Sequence, residues 1–207
     1  MDLQAFFKMS YGLYVVSSAY GGKQNGCVVN TVTQVTAEPP KATVSVSKNN
    51  LTTQLIQQSG VFNAVPLTQQ ATMELISRFG FESGANLDKF DGIPHGVDQN
   101  GVWYPTEGAA ALFSFRVVDQ LDLGTHILFV GEAQQAQQLS GAPVMTYDYY
   151  HRVKKGQTPP NAPSYKKETA KKGWRCKICG YIYEGDELPS DFVCPICKKG
   201  PEFFEKL

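Results

Sequence analysis

The chain has 207 residues, 42% of them hydrophobic and 18% charged, with 19 basic and 19 acidic side chains. That is enough for one medium domain and one small one, and it excludes a disordered or fibrous chain. No apolar run approaches a membrane span and the first 25 residues carry no signal-peptide pattern, so a reducing, cytoplasmic setting without a membrane partner is the expectation. The neutrality hides an uneven distribution. Residues 1–151 carry 7 basic and 12 acidic side chains, net −5, residues 152–173 are net +6, and residues 174–207 are net −1. A short basic stretch held between two acidic bodies reads as a solvated tether rather than a nucleic-acid surface.

Along the first part of the chain, β-branched and aromatic runs predict strands at 14–16, 28–33, 42–46, 112–118 and 127–130. A helix is expected over 50–58, with Asn49 and Asn50 as capping candidates and Leu51, Leu55 and Ile56 on one side. A second is expected over 68–79, starting at Thr68, burying Ala71, Leu75, Ile76 and Phe79, and stopping at Gly80. Many strands, few helices and no βαβ alternation give a mainly β fold, a barrel. Residues 81–108 are rich in Gly, Asp, Asn and Pro and read as a long loop, of the length that usually serves as a lid or interface element. Three prolines, Pro159, Pro160 and Pro163, mark the end of this domain at 165, and 166–173 read as a flexible linker.

Four of the five cysteines fall in the last 32 residues as two Cys-x-x-Cys pairs, Cys176 with Cys179 and Cys194 with Cys197. Each pair spans a tight turn, so four thiolates can surround one tetrahedral iron or zinc. Gly180, after the second cysteine, can adopt positive φ and turn backbone N–H groups toward a thiolate. Trp174, Tyr181, Phe192 and Phe203 supply an apolar shell. With so few aliphatics, a module of this size depends on its metal to fold.

The run Trp174-Arg175-Cys176-Lys177-Ile178-Cys179-Gly180-Tyr181-Ile182-Tyr183, with Cys194-Pro195-Ile196-Cys197 and Phe203-Phe204 after it, resembles the rubredoxin family over 174–207. The resemblance implies a single Cys₄ iron. A structural zinc ribbon shares the ligand set and remains the alternative. Only 14 residues, 180–193, separate the pairs, so the long loop of a free rubredoxin is missing.

A second resemblance covers roughly 1–165. Residues 25–48, Gly60-Val61-Phe62-Asn63-Ala64-Val65, Ser83 to Phe90, Gly124-Thr125-His126-Ile127-Leu128-Phe129-Val130-Gly131-Glu132 and Tyr147-Asp148-Tyr149-Tyr150-His151-Arg152 are similar, in order and spacing, to the flavin reductase family. This implies an FMN-binding split β-barrel. Asn30, Thr31 and Thr33 facing Ser45 and Ser47 would cradle the polar edge and ribityl chain of the flavin. Lys48, Asn49 and Thr52 at a helix N-terminus would hold its phosphate. Cys27 borders the ring in that family, though it reads equally as a small core filler. His126 is a candidate beside the flavin and nicotinamide, or a structural histidine. Tyr149, Tyr150 and His151 would form a flap over the flavin, or pack as ordinary aromatics.

Taken together, a reductase barrel followed by a one-iron module resembles the high-molecular-weight rubredoxin family of strictly anaerobic bacteria. The resemblance implies electron flow from NADH or NADPH through FMN to iron, and on to a flavodiiron protein that reduces oxygen or nitric oxide. It also implies a homodimer, with 81–108 as a source of an arm toward the other subunit. No Gly-x-Gly-x-x-Gly is present and no nicotinamide site is visible in the sequence; the resemblance implies that the donor stacks on the flavin without a separate nucleotide domain. The alternative is an electron-carrier module loaded by a separate reductase.

Overall fold

The computed structural model describes residues 3–154, 156 and 173–207. The expected domain end at 157–165 and all of the expected linker except Gly173 lie outside the described residues.

Seven strands form one antiparallel sheet: β1 (Tyr14–Tyr20), β2 (Lys23–Val29), β3 (Thr33–Ala37), β4 (Pro40–Ser47), β5 (Val61–Pro66), β8 (Ala111–Asp122) and β9 (His126–Gln138), in the order β2-β1-β5-β8-β9-β4-β3. The two edge strands are consecutive in sequence, and this sets the shape. A flat seven-stranded sheet would hold its edges about 29 Å apart at the usual strand spacing. Val29 and Thr33 are joined by four Cα steps, which reach at most about 15 Å. The sheet must therefore curl until its edges approach, giving a barrel split between β2 and β3.

Alternation along the strands assigns side chains to the interior. On β4, Ala42, Val44 and Val46 are buried and the residues between them are half-buried; β9 does the same with Ile127 and Phe129. These five join Val16, Cys27, Ile56, Phe62 and Phe115 in the barrel core. β1 is covered on both faces, because Val16 enters that core while Val15 joins a second one with Leu13, Leu67, Leu75, Ile76, Phe79 and Phe90.

Three helices are present among the described residues. α1 (Leu51–Ser59) is capped by Asn50, whose Oδ1 accepts the Thr52 N–H at 3.0 Å, and ends at Gly60 with φ 71°. α2 (Met73–Gly80) is shorter than expected. Thr72, not Thr68, caps it, because the Thr68 backbone is already committed, donating to the Gly108 carbonyl at 2.8 Å and bridging to Val144. α3 (Tyr147–Arg152) is capped by Thr146.

The 81–108 segment is not structureless. It carries the hairpin β6 (His95–Val97) and β7 (Trp103–Pro105), and it is fastened to its own barrel at several points. Asp98 Oδ1 accepts the N–H groups of Asn100 and Val102 at 2.8 and 2.9 Å, and its Oδ2 accepts from Ser114 Oγ at 2.7 Å. Phe90 is buried edge-on to Phe79 and Trp103. Lys89, 2% exposed, donates from Nζ to the carbonyls of Gly26 and Phe79 at 3.0 and 3.1 Å. Burial lowers its pKa, since the ammonium loses hydration that two neutral carbonyls only partly replace.

At the C-terminal end, β10 (Trp174–Cys176) pairs with β11 (Ile182–Tyr183) on one side and β12 (Phe204–Lys206) on the other. Phe204, not Phe203, closes the small core beside the cysteines; Phe203 lies under the Lys199 ammonium and its carbonyl accepts the Lys177 N–H. No helix among the described residues is long and apolar enough to cross a membrane.

Candidate metal centre and cofactor site

The two knuckles are built alike. The Cys176 N–H donates to the Tyr181 carbonyl and the Gly180 N–H returns to the Cys176 carbonyl, at 2.8 and 2.9 Å. In the second, the Cys194 N–H donates to the Lys199 carbonyl and the Lys198 N–H returns to the Cys194 carbonyl, at 2.9 and 3.0 Å. Closing each turn this way requires positive φ after the second cysteine. Gly180 supplies 77° as its lack of Cβ permits, and Lys198 is forced to 59°. Backbone N–H groups also point at sulfur, from Cys179 to Cys176, Tyr181 to Cys179, Cys197 to Cys194 and Lys199 to Cys197.

All four Sγ atoms lie within 4.8 Å of one another, with Cys176 and Cys197 at 3.5 Å and Cys179 and Cys194 at 3.4 Å. A tetrahedral ion with bonds of about 2.3 Å sets its sulfurs about 3.8 Å apart, so the set fits one ion. Crowding splits the thiols. Hydrogen bonds, first from Cys179, drive the Cys176 pKa down, while hydrogen bonding to Cys176 first of all drives the Cys179 pKa up. Four ionised sulfurs at this spacing need a cation between them. Phe192 lies against Tyr183 and Phe204 at 4.8 and 5.3 Å, which keeps water from the cluster.

The proposed flavin residues gather mostly on the outer face of β4 and β9. Because alternate β4 side chains point inward, Ser45 and Ser47 point out, and the register sets Ser45 opposite Leu128 and Ser47 opposite His126. Leu128 in turn faces Leu121 of β8, so a hydroxyl and two leucines form one cross-strand row. Thr31 closes on this row, its Oγ1 donating to the Ser45 carbonyl at 2.8 Å and accepting the Ser45 N–H at 3.2 Å. Asn30 is buried beside it and Thr33 is exposed at the start of β3.

At the end of this face the Lys48 ammonium pairs with Asp122 Oδ2 at 2.5 Å, and the Lys48 N–H donates to the Thr125 carbonyl. The bond from Lys48 and a second from the Gly124 N–H hold the Asp122 carboxyl below its ordinary range. Asn49 is exposed at the mouth of α1. The Thr52 hydroxyl, expected on a phosphate, is fully buried and accepts from Asn25 Nδ2 at 2.9 Å. What remains at the mouth is a cation, an exposed amide and the N-terminus of a nine-residue helix, a donor set that fits a phosphoester. Cys27 is 2% exposed in the barrel core, where burial raises its pKa. His126 Nδ1 lies 2.9 Å from Thr125 Oγ1, and partial burial lowers its pKa by disfavouring the charged ring.

Tyr149 and His151 are not brought to this face. They sit on α3, where Tyr149 packs against the second core and the His151 ring stands edge-on to Tyr147 at 4.4 Å, with its Nδ1 3.0 Å from the Gly156 carbonyl. Sequence reasoning missed Asp122, Thr125 and Asn25. Asp122 and Thr125 flank the β8–β9 turn, and the Asp-x-Gly of that turn was the available signal.

Residues 6–156 match the family described as "Flavin reductase like domain", and residues 174–205 match "Rubrerythrin, rubredoxin-like domain". The chain is 36% identical to the high molecular weight rubredoxin of Moorella thermoacetica, over the whole of both chains. It is 43% identical to the ferric-chelate reductase (NAD(P)H) of Archaeoglobus fulgidus, over 80% of this chain and 98% of that one. Among solved structures, the FMN-binding protein of Thermus thermophilus is similar at TM-score 0.59 and 26% identity, covering 65% of this chain and 74% of that one. An inward-facing Cys₄ set and a curled sheet with a polar outer face thus coincide with two matched families in one chain. The chain belongs to the flavin reductase-like family, with a rubredoxin-like domain joined behind the barrel in the arrangement of the high molecular weight rubredoxins.

Proposed function

We propose that this protein is an NAD(P)H-dependent electron-transfer oxidoreductase, carrying electrons from the nicotinamide through FMN to a Cys₄ iron and on to an external protein acceptor. The observation that carries this reading is the four-sulfur cluster on the same chain as a flavin reductase-like barrel. Nicotinamides give up electrons in pairs and a single iron accepts one; a bound flavin supplies the conversion. The chain's own residues have simpler tasks. Thr31, Ser45 and Ser47 orient a planar ring by its polar edge, and Lys48 with the α1 N-terminus anchors its phosphate. Leu128 and Leu121 give the face an apolar floor, and the knuckle N–H groups spread thiolate charge and tune the metal.

The NAD(P)H ferric-chelate reductase of Archaeoglobus fulgidus, similar over the barrel, supports the nicotinamide donor. A flavodiiron protein reducing oxygen or nitric oxide in an anaerobic cytoplasm is the acceptor implied by the fused layout. A homodimer is supported by exposed apolar side chains at Val35, Leu121 and Leu123, which extend the flavin face and call for cover; sedimentation as a monomer with FMN bound would rule it out. The central test is the visible spectrum before and after anaerobic NADH. Loss of flavin absorbance followed by loss of ferric–thiolate absorbance is expected. Reduction only by an added reductase would assign the chain to the carriers, and stoichiometric zinc in protein from its native host would remove iron from the scheme.

A further inference from the structure

The small Cys₄ domain has an apolar outer surface at its metal end, and part of the barrel covers it. The residue before the last cysteine of each knuckle is an isoleucine, Ile178 and Ile196. Each lies between the two ligands of its own knuckle. Ile178 is half-buried, and Ile196 is 5% exposed. The cluster formed by Ile196, Phe204 and the four cysteines includes, besides its own domain's side chains, Met73 and Phe81 from the two ends of α2.

The α2 residues are placed for this. Met73, Ser77 and Phe81 recur at every fourth position and form one stripe; Leu75, Ile76 and Phe79 face the second core, and Met73 packs against both that core and the Cys₄ cluster. Phe81 keeps helical backbone angles, φ −118° and ψ −18°, so the stripe runs to the end. Its length is about 12 Å at the rise of an α-helix. Ser77 is 3% exposed. The Arg78–Glu82 pair borders the stripe, with the Glu82 side chain 15% exposed. The helix also rests directly on β2: a Cβ at Gly80 would stand 3.5 Å from Val28 Cβ. Val28 is two residues from Asn30, about 7 Å along a strand, so the stripe and the proposed flavin residues are served by the same segment.

We infer that the Met73–Phe81 stripe of α2 is a docking pad for the metal end of the Cys₄ domain, and that the domain must leave this pad to serve an external acceptor. The second half rests on the electron-transfer function proposed above. Met73 and Phe81 pack against the cluster that holds Ile178 and Ile196, so an acceptor using the same approach to the metal competes with α2. Loading on the barrel and delivery to a partner therefore alternate, and the pad's affinity sets the exchange. A contact of two apolar side chains on two knuckles is small enough to be released, far below the area of a permanent interface.

The experiment uses the full-length holoprotein and two reciprocal variants, Phe81→Glu on the barrel and Ile178→Glu on the Cys₄ domain, each checked for intact flavin and ferric–thiolate absorbance. Hydroxyl-radical footprinting read by mass spectrometry should show severalfold faster modification of Met73 in Ile178→Glu, and of the 192–199 peptide in Phe81→Glu. A merely local folding defect would loosen only the segment carrying the substitution. In stopped flow, flavin reduction by NADH should keep its wild-type rate while iron reduction slows severalfold in both variants. Unchanged labelling across the two domains would overturn the pad. Cross-domain labelling with unchanged iron reduction would overturn its role in loading. Failure of NADH to reduce the flavin at all would instead refute the proposed function, while the footprint still decides the contact.

Discussion

Lys198 is held at φ 59° where its counterpart in the first knuckle is a glycine at 77°. The left-handed region costs an L-residue about 1–2 kcal/mol. Glycine there avoids that strain but loses about 0.5–1 kcal/mol more chain entropy on folding. Lys198→Gly should therefore stabilise the Cys₄ domain by about 0.5–1 kcal/mol, since the side chain is exposed and the bond from its N–H to Cys194 is retained. Gly180→Ala should cost about the same, because nothing lies within 4 Å of the added Cβ and only the backbone resists. The assay is urea unfolding followed by ferric–thiolate absorbance. With a slope of about 1 kcal/mol per M for so small a unit, the midpoint should move by about 0.5–1 M, upward for Lys198→Gly and downward for Gly180→Ala. Lys198→Ala keeps the Cβ and removes the charge, so it should leave the midpoint in place. If Lys198→Ala stabilises as much as Lys198→Gly, charge and not backbone strain is responsible and the reasoning fails.

Cys179→Ser should abolish the ferric–thiolate bands while FMN stays bound, which absorbance and fluorescence report together. Lys48→Ala should weaken FMN binding about tenfold, the size of a charge-assisted contact at a partly exposed site, as measured by fluorescence titration. Asp98→Ala leaves the Ser114 hydroxyl and two N–H groups of the 98–102 turn without their acceptor and should destabilise the barrel by about 3 kcal/mol in denaturant melts. Cys27 should give an alkaline loss of stability. Its pKa is raised by burial, so below about pH 8.5 the thiol is neutral in both states and its contribution is complete. Above that the unfolded thiol ionises while the folded one keeps its proton, and the contribution drains away as pH rises through the folded value. Cys27→Ala should flatten that slope in urea midpoints taken across this range.

The sequence by itself determined whatever depends on neighbours in the chain. Two Cys-x-x-Cys turns need only their own backbone to present paired sulfurs, and Gly180 announces the positive φ that closes the first. Asn50 as a cap and the inward alternation of Ala42, Val44 and Val46 are equally local. The strain at Lys198 was invisible, because a lysine carries no signal of left-handed backbone. It is imposed by a second knuckle that must match the first around one ion.

Tertiary contacts decided the rest. The run 28–33 reads as one strand, yet it breaks after Val29 into the two opposite edges of the sheet, because the barrel closes there. Helix α2 loses its first turn because Thr68 finds strand-like partners in Gly108 and Val144, which lie 40 and 76 residues further on. Thr52 turns inward to Asn25, and Lys48 meets Asp122 across 74 residues. Which face a hydroxyl takes, and which carboxylate an ammonium meets, follow from strand register and helix packing. Those are long-range choices set by burying the largest apolar surface, and no local pattern encodes them.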